Sequence, residues 1–250
     1  MAYKDYHMHT SFCDGRDTCE DMVLSAIEKG LSEIGIVVHS YVEFDKEFSV
    51  AREREADFIS EVRALADKYK EKIRVLPGIE MDYYVTDFEE NYDYVIGSVH
   101  YFKIGEEYYS LDISESDFVK MTEEKFCGDY YAVCEKYYEL VSDIVNKTGA
   151  DIIAHFDLIT KFNEGNKLFD TNHPRYVRAY KQAVDTLIPY GKPFEINTGA
   201  ISRGYRSEPY PSEQIINYIK SKGGSFVLSS DSHSARNIAY LFDKYANLTI

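Results

Sequence analysis

Histidines standing at the ends of apolar runs constrain this chain more than any other feature. It opens with Tyr3-Lys4-Asp5-Tyr6-His7-Met8-His9-Thr10-Ser11, a short extended run closed by two histidines two residues apart. Successive side chains of a strand alternate faces, so His7 and His9 project to one side, about 7 Å apart along the chain. Alone, this spacing fits a solvated pair as well as a metal clip. Repetition favours the clip. Of the seven histidines, six share this placement. His7 and His9 close the first run, His39 follows Ile34 to Val38, and His100 follows Tyr94 to Val99. His155 follows Ile152 to Ala154, and His233 follows Phe226 to Leu228 by way of Ser229-Ser230-Asp231-Ser232. The seventh, in Asn172-His173-Pro174, precedes a proline-initiated helix and reads as a cap or surface residue.

Between these runs the apolar spacing turns helical. Thr18-Cys19-Glu20-Asp21 predicts an N-cap, with Met22, Val23, Ala26 and Ile27 at helical spacing up to Gly30. A second strand is expected at 33–38, then a helix over about 50–70 with Ile59, Val62, Leu65, Ala66 and Tyr69 on one stripe. The third strand, Ile73 to Ile79, ends at Glu80, and the fourth ends at His100. The stretch at about 103–128, rich in Glu, Asp, Ser and Tyr, is the least regular, an excursion of the kind used for lids and binding loops. Helices are expected at 129–147, from Pro174 to about Gly191, from Pro211-Ser212 to near Gly223, and from near Ser234. Strands five, six and seven end at His155, Asn197 and Ser229. Seven strands alternating with helices imply an α/β fold with a parallel sheet, and short connections favour closure into a barrel. The active site of such a barrel lies on the C-terminal rim of its strands, where every histidine of the series falls.

With 250 residues and no Pro-, Gly- or Ser-rich linker, residues 1–250 are expected to form one domain, and 44% apolar content with 15% aromatics fills a sizeable core. A formal charge of −15 argues against nucleic acid or an anionic membrane as partner. Bound divalent cations would reverse that field locally, so a phosphate can still be held. No signal-peptide-like apolar core opens the chain and no run approaches the roughly 20 apolar residues of a membrane span, so a cytoplasmic protein is expected. Cys13, Cys19, Cys127 and Cys134 form no C-x-x-C pair and read as reduced thiols. Cys13 lies beside the first histidines, as a ligand or as a small buried hydrophobe.

Three carboxylates join the series. Asp14-Gly15 follows His9, Glu80 closes strand three, and Asp231 shares a face with His233. Each has a plain alternative: a turn, a rim residue and a helix cap. Together with the six histidines they make nine N/O groups at one end of a barrel, too many for one ion and suited to two or three metals. Clustered metals lower the pKa of a bridging water to give hydroxide and clamp the oxygens of a phosphoryl group during in-line attack.

His7-Met8-His9-Thr10-Ser11, Asp14-Gly15, His39, Gly78-Ile79-Glu80, Ile96-Gly97-Ser98-Val99-His100, Ala154-His155-Phe156-Asp157, Glu195-Ile196-Asn197-Thr198 and Ser230-Asp231-Ser232-His233 resemble the PHP (polymerase and histidinol phosphatase) family, in its order and over nearly the whole chain. The resemblance is closest to the stand-alone histidinol-phosphate phosphatases. It implies a distorted (β/α)7 TIM-like barrel with a trinuclear centre of two to three divalent transition metals, Zn, Mn, Fe or Co. On this resemblance His7, His9, Glu80 and Asp231 would hold the first metal. Glu80 would bridge to a second with His100 and His155, and Asp14, His39 and His233 would take the third. Glu80, Asp231 and His233 are the expected catalytic residues. Asp14 departs from relatives that carry histidine there. The implied activity is hydrolysis of L-histidinol phosphate to L-histidinol and phosphate, a step of histidine biosynthesis. A phosphoesterase for another small ester or a nucleotide, and a metal-binding regulatory domain without turnover, are the alternatives.

Gripping a phosphate dianion takes directional donors beyond the metals, and arginine supplies them in pairs. Arg203 and Arg206, in the loop after strand six, and Lys161, after strand five, are the candidates, and each also reads as a solvated surface residue. Glu106, Glu107, Tyr108, Tyr109 and Asp112 in the excursion would supply a rim attractive to a cationic organic group, or simply a solvated acidic loop.

Overall fold

The computed structural model describes residues 3–85, 88 and 91–249. Its first elements are β1 (Lys4–Asp5), α1 (Cys19–Glu28), β2 (Glu33–His39), α2 (Glu55–Tyr69), β3 (Arg74–Asp82) and β4 (Tyr94–Ser98). A hairpin of β5 (Tyr101–Ile104) and β6 (Glu107–Ser110) follows, then α3 (Glu115–Phe126), α4 (Tyr130–Thr148) and β7 (Ile152–Ile153). The chain ends with α5 (Pro174–Leu187), β8 (Phe194–Asn197), α6 (Gly199–Ser202), α7 (Glu213–Ser221), β9 (Phe226–Ser229) and α8 (Phe242–Tyr245). Seven strands form one sheet in the order β1-β2-β3-β4-β7-β8-β9, every pair parallel. Beyond the regular strands, Met8 bridges Ser232, with His9 N–H donating to the Ser232 carbonyl at 2.8 Å, and this joins the first strand to the last. The sheet is thereby nearly closed, the (β/α)7 barrel expected. Among the described residues no helix is long and apolar enough to cross a membrane.

Period-two alternation explains both walls of the barrel. On β2, Ile34, Ile36 and Val38 pack outward with Met22, Val23, Phe58 and Val62 of α1 and α2. Val37, on the opposite face, joins Tyr94, Ile96, Ile152 and Ala154 in a separate apolar cluster. The next residue on that face is His39. The same step on β3 carries Leu76 and Gly78 to Glu80. Tyr94 fills the space above two glycines: a Cβ on Gly35 would lie 1.9 Å from its hydroxyl, and one on Gly78 would lie 2.3 Å from its ring. The hydroxyl donates to the Tyr6 carbonyl at 2.6 Å.

The helix boundaries follow local chemistry. Thr18 and Asp21 form the reciprocal capping box of α1, Asp129 caps α4, and Gly149 in the left-handed region (φ 70°) ends it. Three expectations need correction. Regular β1 stops at Asp5, and residues 7–9 run on as a bridged segment because their hydrogen bonds pass to Val37 and Ser232. The 103–128 stretch is ordered as the second half of the hairpin and α3, whose N-cap is Ser114. The expected last helix is a 3-10 turn at Ala235–Asn237, with α8 starting only at Phe242. Replacing Gly78 by Ala forces the buried Tyr94 ring aside and should cost about 1–3 kcal/mol in urea or thermal unfolding. Unchanged stability would show that the ring does not fill this space.

Candidate metal centre

Glu80, only 1% exposed, is the centre of the rim cluster. Its Oε2 lies 3.1 Å from His7 Nε2, 3.3 Å from His9 Nε2 and 3.0 Å from His39 Nδ1. Its Oε1 lies 2.9 Å from His155 Nε2 and 3.3 Å from His100 Nε2. One carboxylate thus presents each oxygen to a different set of imidazoles, the geometry of a group shared by two cations. Asp14 gathers a further set: its Oδ2 is 3.0 Å from His233 Nε2, and its Oδ1 is 3.6 Å from His39 Nε2 and 4.0 Å from His9 Nδ1. Asp231 Oδ1 faces His7 and His9 at 3.9 and 3.8 Å and His233 Nδ1 at 3.7 Å. All nine expected ligands therefore meet at the C-terminal rim. Three groups bring their ligand atoms within 4.8 Å of one another: His9, Asp14, His39 and His233; His7, His9 and Glu80; His39, Glu80 and His100.

The hydrogen-bond chemistry shows that these residues fit bound cations. His7 Nδ1 meets Glu195 Oε1 at 2.7 Å, so with the proton placed on Nδ1 the Nε2 is a lone pair. That lone pair sits 3.1 Å from His9 Nε2 and beside Glu80 Oε2. Acceptors face acceptors. Glu80 Oε2 and Asp14 Oδ1 are buried without a hydrogen-bond donor, an arrangement that positive charge between the atoms would satisfy. Burial opposes charge on His7, His39 and His100, yet the Glu80 carboxylate and its neighbours Glu195, Asp14 and Asp82 raise all three. His9 goes the other way: burial, with His39 and His233 beside it, lowers it to about 3. Burial would raise Asp14, but His39 and His233 lower it and keep it a carboxylate.

Outer partners hold the candidate ligands. Glu195 Oε2 accepts the backbone N–H of His155 at 3.0 Å and Asn197 Nδ2 at 3.1 Å. Asp82 Oδ2 accepts the backbone N–H of His100 at 2.9 Å. No role was expected of these three residues from the sequence. Glu195 and Asn197 stand two apart at a strand end, the same signal that marks His7 and His9.

The expected phosphate donors separate. Arg203 lines the cleft over the cluster: Nη2 is 2.9 Å from Asp231 Oδ2, and Nη1 donates to the Asp231 carbonyl at 2.8 Å and lies 3.1 Å from His233 Nδ1. Gly199 permits this approach, since a Cβ there would stand 2.8 Å from Asp231 Oδ2 and 2.9 Å from Arg203 Nη2. Lys161 also lines the cleft, its ammonium 2.6 Å from the Asp112 carbonyl and 3.1 Å from its carboxylate. Arg206 does not reach the cleft. It is buried elsewhere against Asp157 at 3.6 Å, Glu208 at 3.0 Å and the Thr160 hydroxyl, because Asp157 needs a counter-charge. Cys13 Sγ is 3.5 Å from His9 Nδ1 and half-buried, and it joins none of the three groups. His173 lies outside the cluster, capping α5 through Nδ1 and stacking on Tyr131 at 3.8 Å.

Fold and cluster together define an α/β barrel of a metal-binding kind, with its candidate ligands on the C-terminal rim. The chain belongs to the PHP domain family, whose profile matches residues 5–199. It is 26% identical to a histidinol-phosphatase of Bacillus subtilis over 98% of each chain. Among solved structures, one from Listeria monocytogenes has a TM-score of 0.84 at 24% identity, covering 97% of this chain and 99% of that one. The histidinol phosphate phosphatase of Lactococcus lactis, solved with zinc, L-histidinol and phosphate, has a TM-score of 0.74 at 22% identity, with 99% and 92% covered.

Replacing Glu80 by Gln should reduce bound metal below that of the parent by elemental analysis, whereas His173→Ala should leave the metal count unchanged. Equal counts in both variants would contradict the central place of Glu80. Because His7, His39 and His100 are raised above 6.5 without metal, cations must displace protons. Zinc affinity should therefore weaken as pH falls, and binding near pH 7 should release protons measurable with an indicator dye. Proton-neutral binding would refute this.

Proposed function

We propose that this chain is a metal-dependent phosphomonoesterase that hydrolyses L-histidinol phosphate to L-histidinol and phosphate. The observation that carries the reading is Glu80, one buried carboxylate with imidazoles on both oxygens, on the floor of a cleft whose wall includes Arg203. The chain-long likeness to the Bacillus subtilis histidinol-phosphatase supplies the substrate. The zinc, L-histidinol and phosphate bound together by the Lactococcus lactis protein agree with it.

His7, His9, Glu80 and Asp231 would hold one cation, Glu80, His100 and His155 a second, and Asp14, His39 and His233 a third. Two to three divalent transition metals such as Zn, Mn, Fe or Co suit these donors. When bound, such ions activate a water and neutralise the oxygens of a phosphoryl group. The rest falls to the chain. Glu80, Asp231 and His233 serve as the catalytic residues, orienting the attacking water towards the phosphorus. Arg203, beside Asp231 and His233, offers its guanidinium to the phosphoryl oxygens. Lys161 ranks below it because its partner, Asp112, stands outside the cluster whereas Arg203 bonds a member of it, and Arg206 is excluded by its burial away from the cleft. Water adds to phosphorus, the P–O bond to the histidinol oxygen breaks, and that oxygen leaves with a proton.

The substrate is a small molecule in histidine biosynthesis. With a formal charge of −15, the surface disfavours nucleic acid, and a cytoplasmic location fits the chemistry. Steady-state kinetics should give kcat/KM for L-histidinol phosphate at least tenfold above those for alkyl phosphates and nucleoside monophosphates, which is about 1.4 kcal/mol of differential binding. Better turnover of a nucleotide would favour the broader phosphoesterase reading. Arg203→Ala should lower kcat/KM by about 1.5–3 kcal/mol, the size of a charge-assisted hydrogen bond. An unaltered value would remove Arg203 from the phosphate site.

A further inference from the structure

The metal ligands account for the floor of the cleft and leave its mouth unexplained. The cleft encloses about 250 Å³. Among the described residues eight large hydrophobic side chains are exposed, and three of them, Phe48, Ile113 and Tyr205, line this one opening at 37%, 50% and 39% exposure. They arrive on three different loops, after β2, after β6 and after α6. Single exposed apolar residues are ordinary on a protein surface, but convergence from three loops on one opening is the mark of a surface that something covers.

These loops are tied together. Phe44, from the loop that carries Phe48, stacks on Tyr108 of β6 at 3.7 Å and meets Tyr101 of β5 edge-on at 4.8 Å. Tyr101 also donates to Asp45 at 2.9 Å. Lys161 fastens Asp112, the neighbour of Ile113, from across the cleft, and its ammonium lies 4.9 Å from the centre of the Tyr205 ring. Phe162 meets the same ring edge-on at 5.9 Å. The opening is thus framed by loops whose positions are set before any ligand arrives, and preorganisation lowers the cost of binding.

We propose that Phe48, Ile113 and Tyr205 form a collar that binds the organic group of the phosphate ester and selects a small flat ring over a plain alkyl chain. The inference rests on the phosphatase reading above, which places the phosphoryl group on the metal floor and leaves the organic group at the mouth. A flat ring gains apolar contact with Ile113 and ring contact with Phe48 and Tyr205, whereas a two-carbon chain offers neither a ring face nor comparable apolar area. Because the collar touches the ester outside the reacting bonds, its contribution is equal in ground and transition states and is read in KM rather than kcat.

The test compares L-histidinol phosphate with ethyl phosphate in the metal-loaded parent, in the single variants Phe48→Ala, Ile113→Ala and Tyr205→Ala, and in the triple variant. Leu24→Ala, an exposed apolar residue on α1, is the control. The triple variant should raise KM for L-histidinol phosphate at least tenfold, leave kcat within about twofold, and leave kcat/KM for ethyl phosphate, the metal count and the melting temperature unchanged. A preference ratio that survives in the triple variant, or an equal fall with both esters, overturns the collar. A parent that does not prefer L-histidinol phosphate instead overturns the substrate reading, so the two failures are told apart. Should the triple variant fold poorly, the single variants carry the same comparison.

Discussion

Five imidazoles directed at one buried carboxylate organise the upper half of this barrel. Glu80 is almost wholly buried, and its neighbours present lone pairs as readily as protons. Such a cluster is unfavourable by itself, because buried acceptors facing one another lose hydration without gaining donors. Protons relieve part of the conflict, which is why Glu80 and its neighbours raise His7, His39 and His100. Divalent cations relieve it more completely, since one ion satisfies several acceptors at once. Cation binding by the folded chain is then also folding free energy.

The barrel makes this convergence possible by dividing its interior into two layers. Below, Tyr94 lies over Gly35 and Gly78 with Val37, Ile96 and Ile152 around it. Above, the same inward-facing steps carry His39 and Glu80. The seam where first and last strands meet is fixed by Asp5, whose Oδ1 accepts the Ser230 N–H at 3.0 Å and whose Oδ2 accepts the Ala239 N–H at 3.1 Å. Asp5 sits two residues before His7, and Ser230 sits one before Asp231. One buried carboxylate therefore sets the spacing of ligands from opposite ends of the chain. Asp231 itself has φ 47°, in the left-handed region that asparagine and aspartate tolerate best.

The seven strands and the nine rim groups were legible because the inward face of a strand repeats every second residue and a histidine after an apolar run breaks the pattern visibly. The same alternation marks Glu195 and Asn197, yet their part depends on His7 and His155 lying across the barrel, which no local pattern reports. Arg203 and Arg206, three residues apart in one loop, could not be separated by sequence. Gly199 opens the path for the first and Asp157, from a different loop, captures the second. The hairpin after His100 was hidden because Glu107 to Ser110 is partly exposed on every residue and lacks apolar alternation. The short 3-10 and α-helical turns after Ser234 have too few residues for a helical period to register.

An acidic chain whose cleft is proposed to take a phosphate ester presents an electrostatic question, and the answer lies in where the charge sits. The protein carries a formal −15, a field that repels anions at long range but is screened beyond about 8–10 Å of water at ordinary ionic strength. Inside the cleft the counting differs. Asp14, Glu80, Asp82, Asp112 and Asp231 line it, with Asp231 paired to Arg203 and Asp112 to Lys161. Two or three divalent cations would exceed the charge of the three carboxylates left unpaired and give a positive floor. The phosphoryl group would then meet attraction only at short range, where its oxygens are already within reach of Arg203. Under the same reading a polyanion would have to lie along the repelling surface as well as in the cleft, where it would gain nothing. Under the proposed activity this charge distribution would filter by size: it would admit a small monoester to the floor of the cleft and leave the choice among such esters to the proposed collar at the mouth.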